Sequence, residues 1–158
     1  MYKFLFKRII DFTCSIVLII LLLPIFLPII IILKLTGEGE VFYFQERIGY
    51  KNKKFKIFKF ATMLKNSSKM GTGSLTLRND PRVLPFGKFL RKTKINELPQ
   101  IFNVLNGSMS LVGPRPQMEV DFLVYQDKIR LEIYDSVPGV TGIGSVFFRD
   151  EELYISNS

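Results

Sequence analysis

The chain of 158 residues contains no histidine at all. That absence excludes histidine general bases, Ser-His-Asp triads and Cys/His zinc sites, so any acid–base or metal chemistry falls to carboxylates. Cysteine is nearly as scarce. Cys14 stands alone inside an apolar stretch, so it forms no internal disulfide and reads as a small buried hydrophobe. Internal repeats and low-complexity tracts are missing too. Acidic residues are in deficit, 14 against 22 basic ones, which gives a formal charge of +8 and a pI near 9.6. Such a balance calls for an anionic partner: lipid headgroups, a phosphorylated substrate or nucleic acid.

The longest feature present is Phe12 to Leu33, twenty-two residues without a charge. As a straight helix it would reach about 33 Å, against about 30 Å for a bilayer core. No polar face interrupts it, so it belongs in a membrane. Whether it crosses is a separate matter. Pro24 and Pro28 each remove a backbone donor in mid-stretch. Lys3, Lys7 and Arg8 precede the stretch, while Lys34, Arg47, Lys51, Lys53, Lys54, Lys56 and Lys59 follow it. Cationic flanks mark the cytoplasmic side, and here both flanks claim it. A re-entrant hairpin that breaks at Pro24 satisfies both flanks, and a single span is the alternative. The length of the run, the lack of a small-residue cleavage site and the lysines that follow argue against a cleaved signal peptide. This divides the chain into 1–36, a basic N-terminus with the membrane helix, and 37–158, one soluble domain of about 120 residues.

Beyond Gly37, Val41–Gln45 and Phe55–Phe60 are β-prone and flank a Gly49-Tyr50-Lys51-Asn52 turn signal, which predicts a hairpin. Its Lys/Phe interleaving suits a core-facing strand or a patch beside anionic headgroups better than a nucleic-acid surface. Lys65–Gly73 is a polar loop. Asp80-Pro81 predicts a helix start, followed by Phe86, Phe89 and Leu90 among Lys88, Arg91, Lys92 and Lys94. That basic cluster is either a phosphate-binding face or a solvated or membrane-facing charge run. A second helix is predicted from a capping Asn96, with Glu97 and Pro99 in its first turn and Gly107 as its stop. Arg115 lies between Pro114 and Pro116, and a stiffened arginine suits bidentate phosphate recognition. A third helix is expected over roughly Met118–Tyr134, then a glycine-rich turn, Pro138–Gly144.

RKTKINELPQIFNVLNGSMSLVGPRP, from Arg91 to Pro116, closely resembles the bacterial sugar transferase family, the small monotopic phosphoglycosyl transferases. The likeness extends to Lys7-Arg8, the proline-broken apolar helix, Phe44–Gly49, Lys56–Met63, Asn79–Val83 and Pro138–Gly142. GPRP alone is a weak signal, whereas the ordered set is specific. The resemblance implies an enzyme that moves a sugar phosphate from a UDP-sugar to polyprenol (undecaprenyl) phosphate, releasing UMP, with Mg²⁺. It would begin glycoconjugate or exopolysaccharide synthesis at the cytoplasmic face of the bacterial inner membrane. In the family an Asp-Glu pair opens the second helix, the Asp attacking phosphorus and the Glu holding metal. Glu97 matches that Glu, and Arg91 and Arg115 match phosphate-contacting residues.

Three positions depart from the pattern. The nucleophile position is Asn96, a usual basic residue is Ala61, and a usual tryptophan is Ile143. The stop at Ser158 is earlier than the family leads one to expect, which suggests a shortened chain. An amide is not a competent phosphoryl nucleophile. The alternative function is therefore a catalytically impaired relative that binds nucleotide-sugar or lipid phosphate at the membrane. The expected fold is α+β and mostly helical: a monotopic membrane protein with a re-entrant helix hairpin and a small cytoplasmic catalytic domain containing a short β-hairpin. Partners are UDP-sugar, polyprenol phosphate and membrane lipids, with no nucleic acid, and the sequence leaves the oligomeric state open.

Overall fold

A computed structural model describes residues 2–70, 76 and 79–142. Helix α1, Tyr2–Leu35, is followed by an antiparallel hairpin of β1, Phe42–Ile48, and β2, Lys54–Phe60. Helix α2, Pro85–Lys92, leads into a 3-10 helix, Ile95–Gln100, and then α3, Ile101–Asn106. Strand β3, Ser110–Val112, pairs in parallel with β4, Gly139–Thr141, and two short helices lie between them: α4, Glu119–Phe122, and α5, Asp127–Glu132. The fold mixes helix with two small sheets behind one long apolar N-terminal helix.

Helix α1 is long and apolar enough, over Leu5–Leu35, to cross a membrane. It is continuous through Pro24 and Pro28, so no non-helical turn interrupts it where the sequence suggested a break. Its burial is one-sided. Arg8, Asp11, Ser15, Ile19, Leu22, Phe26, Ile29 and Leu33 are buried or half-buried, while Ile9, Phe12, Ile20, Leu27 and Ile31 are exposed. Spacings of three and four residues keep the buried set on one helix face. Near the start, the Arg8 guanidinium donates to the carbonyls of Val104, at 2.6 Å, and Leu105, at 2.8 Å. These are carbonyls of the last turn of α3, where a cation is favoured. Asp11 accepts from Ser110 Oγ at 2.7 Å and from the Leu111 N–H at 3.1 Å. Towards the other end, Phe26, Ile29 and Leu33 join Ile57, Phe60, Leu90, Ile101, Val104 and Met109 in the main core. The Phe26 ring stands edge-on to Phe60, centroids 5.4 Å apart.

The hairpin forms as the alternation predicts, with Lys51 and Asn52 taking the positive φ of its connection. Gly107, at φ 88°, ends α3 as expected. Three helix assignments need correction. Asp80 does not open a helix. Its carboxylate holds Arg82 through a buried ion pair, 2.6 Å from Nη2 and 2.9 Å from Nε, and α2 waits for Pro85, whose missing donor is harmless at a first turn. Asn96 is not a cap: Lys94, left-handed at φ 59°, precedes the 3-10 helix, and Asn96 is its buried second residue. The expected third helix is two short pieces, interrupted between Phe122 and Asp127. Residues 71–73 of the polar loop and Ile143, Gly144 and the C-terminal stretch to Ser158 lie outside the described residues.

Candidate active site

The hairpin register brings the site together. Arg47 on β1 and Ile57 and Lys59 on β2 fall on one face, because Tyr43 opposes Lys59 and Gln45 opposes Ile57. Across from that face the 3-10 helix presents Glu97 and Gln100. The segment after β3 adds Arg115 and Pro116, and β4 closes the wall with Gly139 and Val140. These residues line a shallow hollow that opens to solvent. Its β3–β4 wall depends on close backbone approach. A Cβ on Gly139 would lie 2.0 Å from the Gly113 nitrogen, and one on Gly113 would lie 2.3 Å from the Val137 carbonyl oxygen.

The charges in this hollow do not balance. Lys59 Nζ pairs with Glu97 Oε1 at 3.1 Å. Arg47 donates from Nη2 to Gln45 Oε1 at 2.8 Å, but its Nε is buried without a hydrogen-bond partner. Three cations against one carboxylate leave two positive charges in the lining. Burial works to raise the Glu97 carboxyl, but Lys59, Arg115 and Lys94 outweigh it and hold the group below its ordinary value. Burial pushes the Lys59 ammonium down, and Arg47 and Arg115 add to that against the pull of Glu97. Arg47 is lowered in the same way, first by burial and then by Arg115. Excess positive charge around a hollow is what a multiply charged anion would satisfy.

Of the residues singled out from the sequence, Glu97 and Arg115 meet in this hollow. Asn96 and Arg91 do not line it. Asn96 is 7% exposed with its Oδ1 buried and unpartnered, and Arg91 lies half-buried on α2. Sequence reasoning counted Arg47 and Lys59 only as flanking cations and gave neither them nor Gln100 a place in the site. The signal was available for the first two: in an antiparallel hairpin with this turn, both project to the same side.

The sequence profile of the family described as bacterial sugar transferase matches residues 2–157. The chain belongs to the bacterial sugar transferase family. It is 44% identical over 110 residues to an undecaprenyl-phosphate glucose phosphotransferase of Komagataeibacter xylinus, covering 70% of this chain and 21% of that protein. To the exopolysaccharide production protein ExoY of Rhizobium meliloti it is 35% identical, over 94% of this chain and 71% of the relative. An undecaprenyl-phosphate galactose phosphotransferase of Salmonella typhimurium is 37% identical, over 94% and 34% respectively. This family member thus spans only a fifth to a third of two of these three relatives.

For Mg²⁺, the donors in this chain are few. Among the described residues no three Cys, Asp or Glu side chains gather, and Glu97 is the one carboxylate in the hollow. Asn96, next to it in sequence, does not line the hollow and adds no donor there. Mg²⁺ keeps several waters and is commonly held by one or two carboxylates together with substrate phosphates, so this donor set suits a metal that arrives with a diphosphate.

Proposed function

We propose that this chain transfers a sugar phosphate from a UDP-sugar to polyprenol phosphate and releases UMP. The observation that carries the reading is the hollow itself, whose lining holds two positive charges in excess. A nucleotide-sugar diphosphate carries about two negative charges at neutral pH and offers oxygens to several donors. Arg47 and Arg115 would neutralise it, and Lys59 keeps Glu97 ionised at the wall. Glu97 would hold Mg²⁺ together with the substrate phosphates, and the metal when bound supplies charge stabilisation for phosphoryl transfer. Asn96 itself supplies no nucleophile. In this reading a lipid-phosphate oxygen attacks the phosphorus next to the sugar, and the bond to the UMP oxygen breaks. The relatives' printed names, glucose and galactose phosphotransferases acting with undecaprenyl phosphate, agree with this substrate pair.

We further propose a monotopic placement at the cytoplasmic face of the bacterial inner membrane. The support is the buried stripe of α1, which touches the soluble domain from Arg8 to Leu33. A helix crossing the bilayer would carry its middle about 15 Å away from a domain on one side. Here Ile19 and Leu22, near that middle, pack against the core. The outer apolar face is left for lipid.

The test is UMP release from a panel of UDP-sugars by the full chain in mixed micelles with undecaprenyl phosphate, beside a thermal shift with each nucleotide. Turnover with one sugar, and metal-dependent stabilisation that vanishes in Glu97→Ala, is the expected result. Stabilisation without any UMP release would instead identify a non-catalytic binding protein. Neither effect with any sugar would refute both readings.

A further inference from the structure

Tyr134 does not line the hollow, yet its hydroxyl sits where the two arginine-bearing segments cross. The side chain is 1% exposed, packed with Ile48 and Phe122, ring centroids of the Phe122–Tyr134 pair 5.7 Å apart. Its O–H donates to the Arg115 carbonyl at 2.9 Å and accepts from the Gln117 N–H at 2.9 Å. One phenol oxygen therefore bridges the backbone on both sides of Pro116. Pro114 and Pro116 restrict their own φ angles and bias the residues before them. What they leave open is the orientation of the peptide planes on either side of Pro116, and the Tyr134 hydroxyl holds both. The second segment is tied in at the same place. Gln117 accepts at its carbonyl from the Ile48 N–H at 2.9 Å, and Ile48 follows Arg47 directly. Tyr134 is fixed in turn by the hairpin connection, its carbonyl accepting from the Lys51 N–H at 2.9 Å.

We infer that Tyr134 is a positioning residue for Arg47 and Arg115, setting the spacing of the two guanidinium groups for a diphosphate. The inference rests on the reading of the hollow as a diphosphate site. Burial pushes the phenol above its ordinary value, with Tyr125 adding to it against Arg47 and the Gln117 N–H, so the O–H remains a donor throughout the neutral range. Arg115 presents a fork of rigid donors, and a small rotation of its peptide plane moves the far end of a long side chain by more than hydrogen bonds tolerate.

Tyr134→Phe removes the oxygen and keeps the ring against Phe122, so the fold stays in place. Inorganic pyrophosphate is the probe, titrated calorimetrically into the full chain in detergent micelles. Loss of a hydrogen-bonded bridge of this kind should weaken Kd about tenfold at unchanged stoichiometry. A purely structural role would do the opposite, reducing the number of competent sites at unchanged Kd. Tyr125→Phe is the matched control. Its hydroxyl accepts only from the Gln117 side chain, Nε2 at 2.8 Å, in the contacts described, and Kd should stay within about twofold. Equal Kd in Tyr134→Phe and the unaltered chain overturns the inference alone, as does equal weakening in both variants. Failure of the unaltered chain to bind pyrophosphate overturns the diphosphate reading and this inference with it.

Discussion

Replacing Asn96 by aspartate separates the fold from the chemistry at a position where the resemblance leads one to expect a nucleophilic carboxylate. From sequence the exchange looks free, because Asn and Asp cap helices about equally well. The structure removes that argument, since Asn96 is not a cap. It is buried at 7% exposure, and its Oδ1 already lacks a partner. Asn96→Asp therefore places a full charge where even a neutral acceptor is unsatisfied, and beside Glu97, itself held ionised. Lys59, the cation paired nearby, is already engaged by Glu97 at 3.1 Å. A buried unsatisfied group costs about 1–3 kcal/mol and an ionised one more. At ~2–4 °C per kcal/mol for a chain of this size, Tm should fall by about 3–10 °C at neutral pH. Burial and Glu97 raise the folded-state pKa of the new carboxyl, so the penalty is complete above that value. It fades as pH falls through it towards the unfolded value. Given UDP-sugar alone, the variant should accumulate a phosphosugar adduct visible by intact mass, with loss of UMP, whereas the unaltered chain should not. An unchanged Tm at neutral pH would refute the burial argument. An adduct on the unaltered chain, or turnover as fast as the variant's, would show that position 96 is not the missing nucleophile.

Lys59→Met should raise the Glu97 carboxyl towards its ordinary value, because burial would then act with less opposition. A depressed carboxylate contributes stability above its unfolded pKa that is lost as pH falls through the folded one, so acid unfolding of the variant should begin at higher pH; an unmoved acid limb would show that Lys59 does not set the Glu97 charge. For topology, Lys3→Cys and Lys51→Cys in a Cys14→Ser background should both react from the cytoplasmic side in inverted vesicles and neither in intact cells, and opposite accessibility would restore a single span.

What was readable in the sequence was local. The hairpin followed from alternation and a turn signal, and Gly107 ended a helix because no other residue enters φ 88° so cheaply. Arg115 could be singled out because two prolines flank it in sequence, and Glu97 through the family resemblance of the segment that carries it. The failures came from competition that only tertiary structure decides. Asp80 had two uses, capping or pairing with Arg82, and the ion pair won. Lys94 in a left-handed conformation follows from no propensity, yet it converts a capping Asn96 into a buried one. Arg47 and Lys59 stayed unassigned because their partnership depends on register and on Glu97 arriving from another element.

The two-sided use of α1 has a consequence for how this protein can be handled and for how it could have diversified. Three of the nine buried residues of the main core, Phe26, Ile29 and Leu33, come from the membrane helix. Arg8 and Asp11 hold α3 and β3 from the same rod. A chain shortened to start at Gly37 would lose a third of that cluster and strand the carbonyls of Val104 and Leu105, so solubility gained by trimming would be solubility of a damaged domain. Detergents have to be chosen to replace lipid on the outer face without prying off the inner one. Exchange of this anchor for that of an unrelated membrane protein would fail for the same reason, because the inner stripe is matched residue by residue to the surface it covers. Under the proposed monotopic placement, lipid preference and domain stability fall on opposite faces of a single helix, and a mutation that shifts its rotation would disturb both at once.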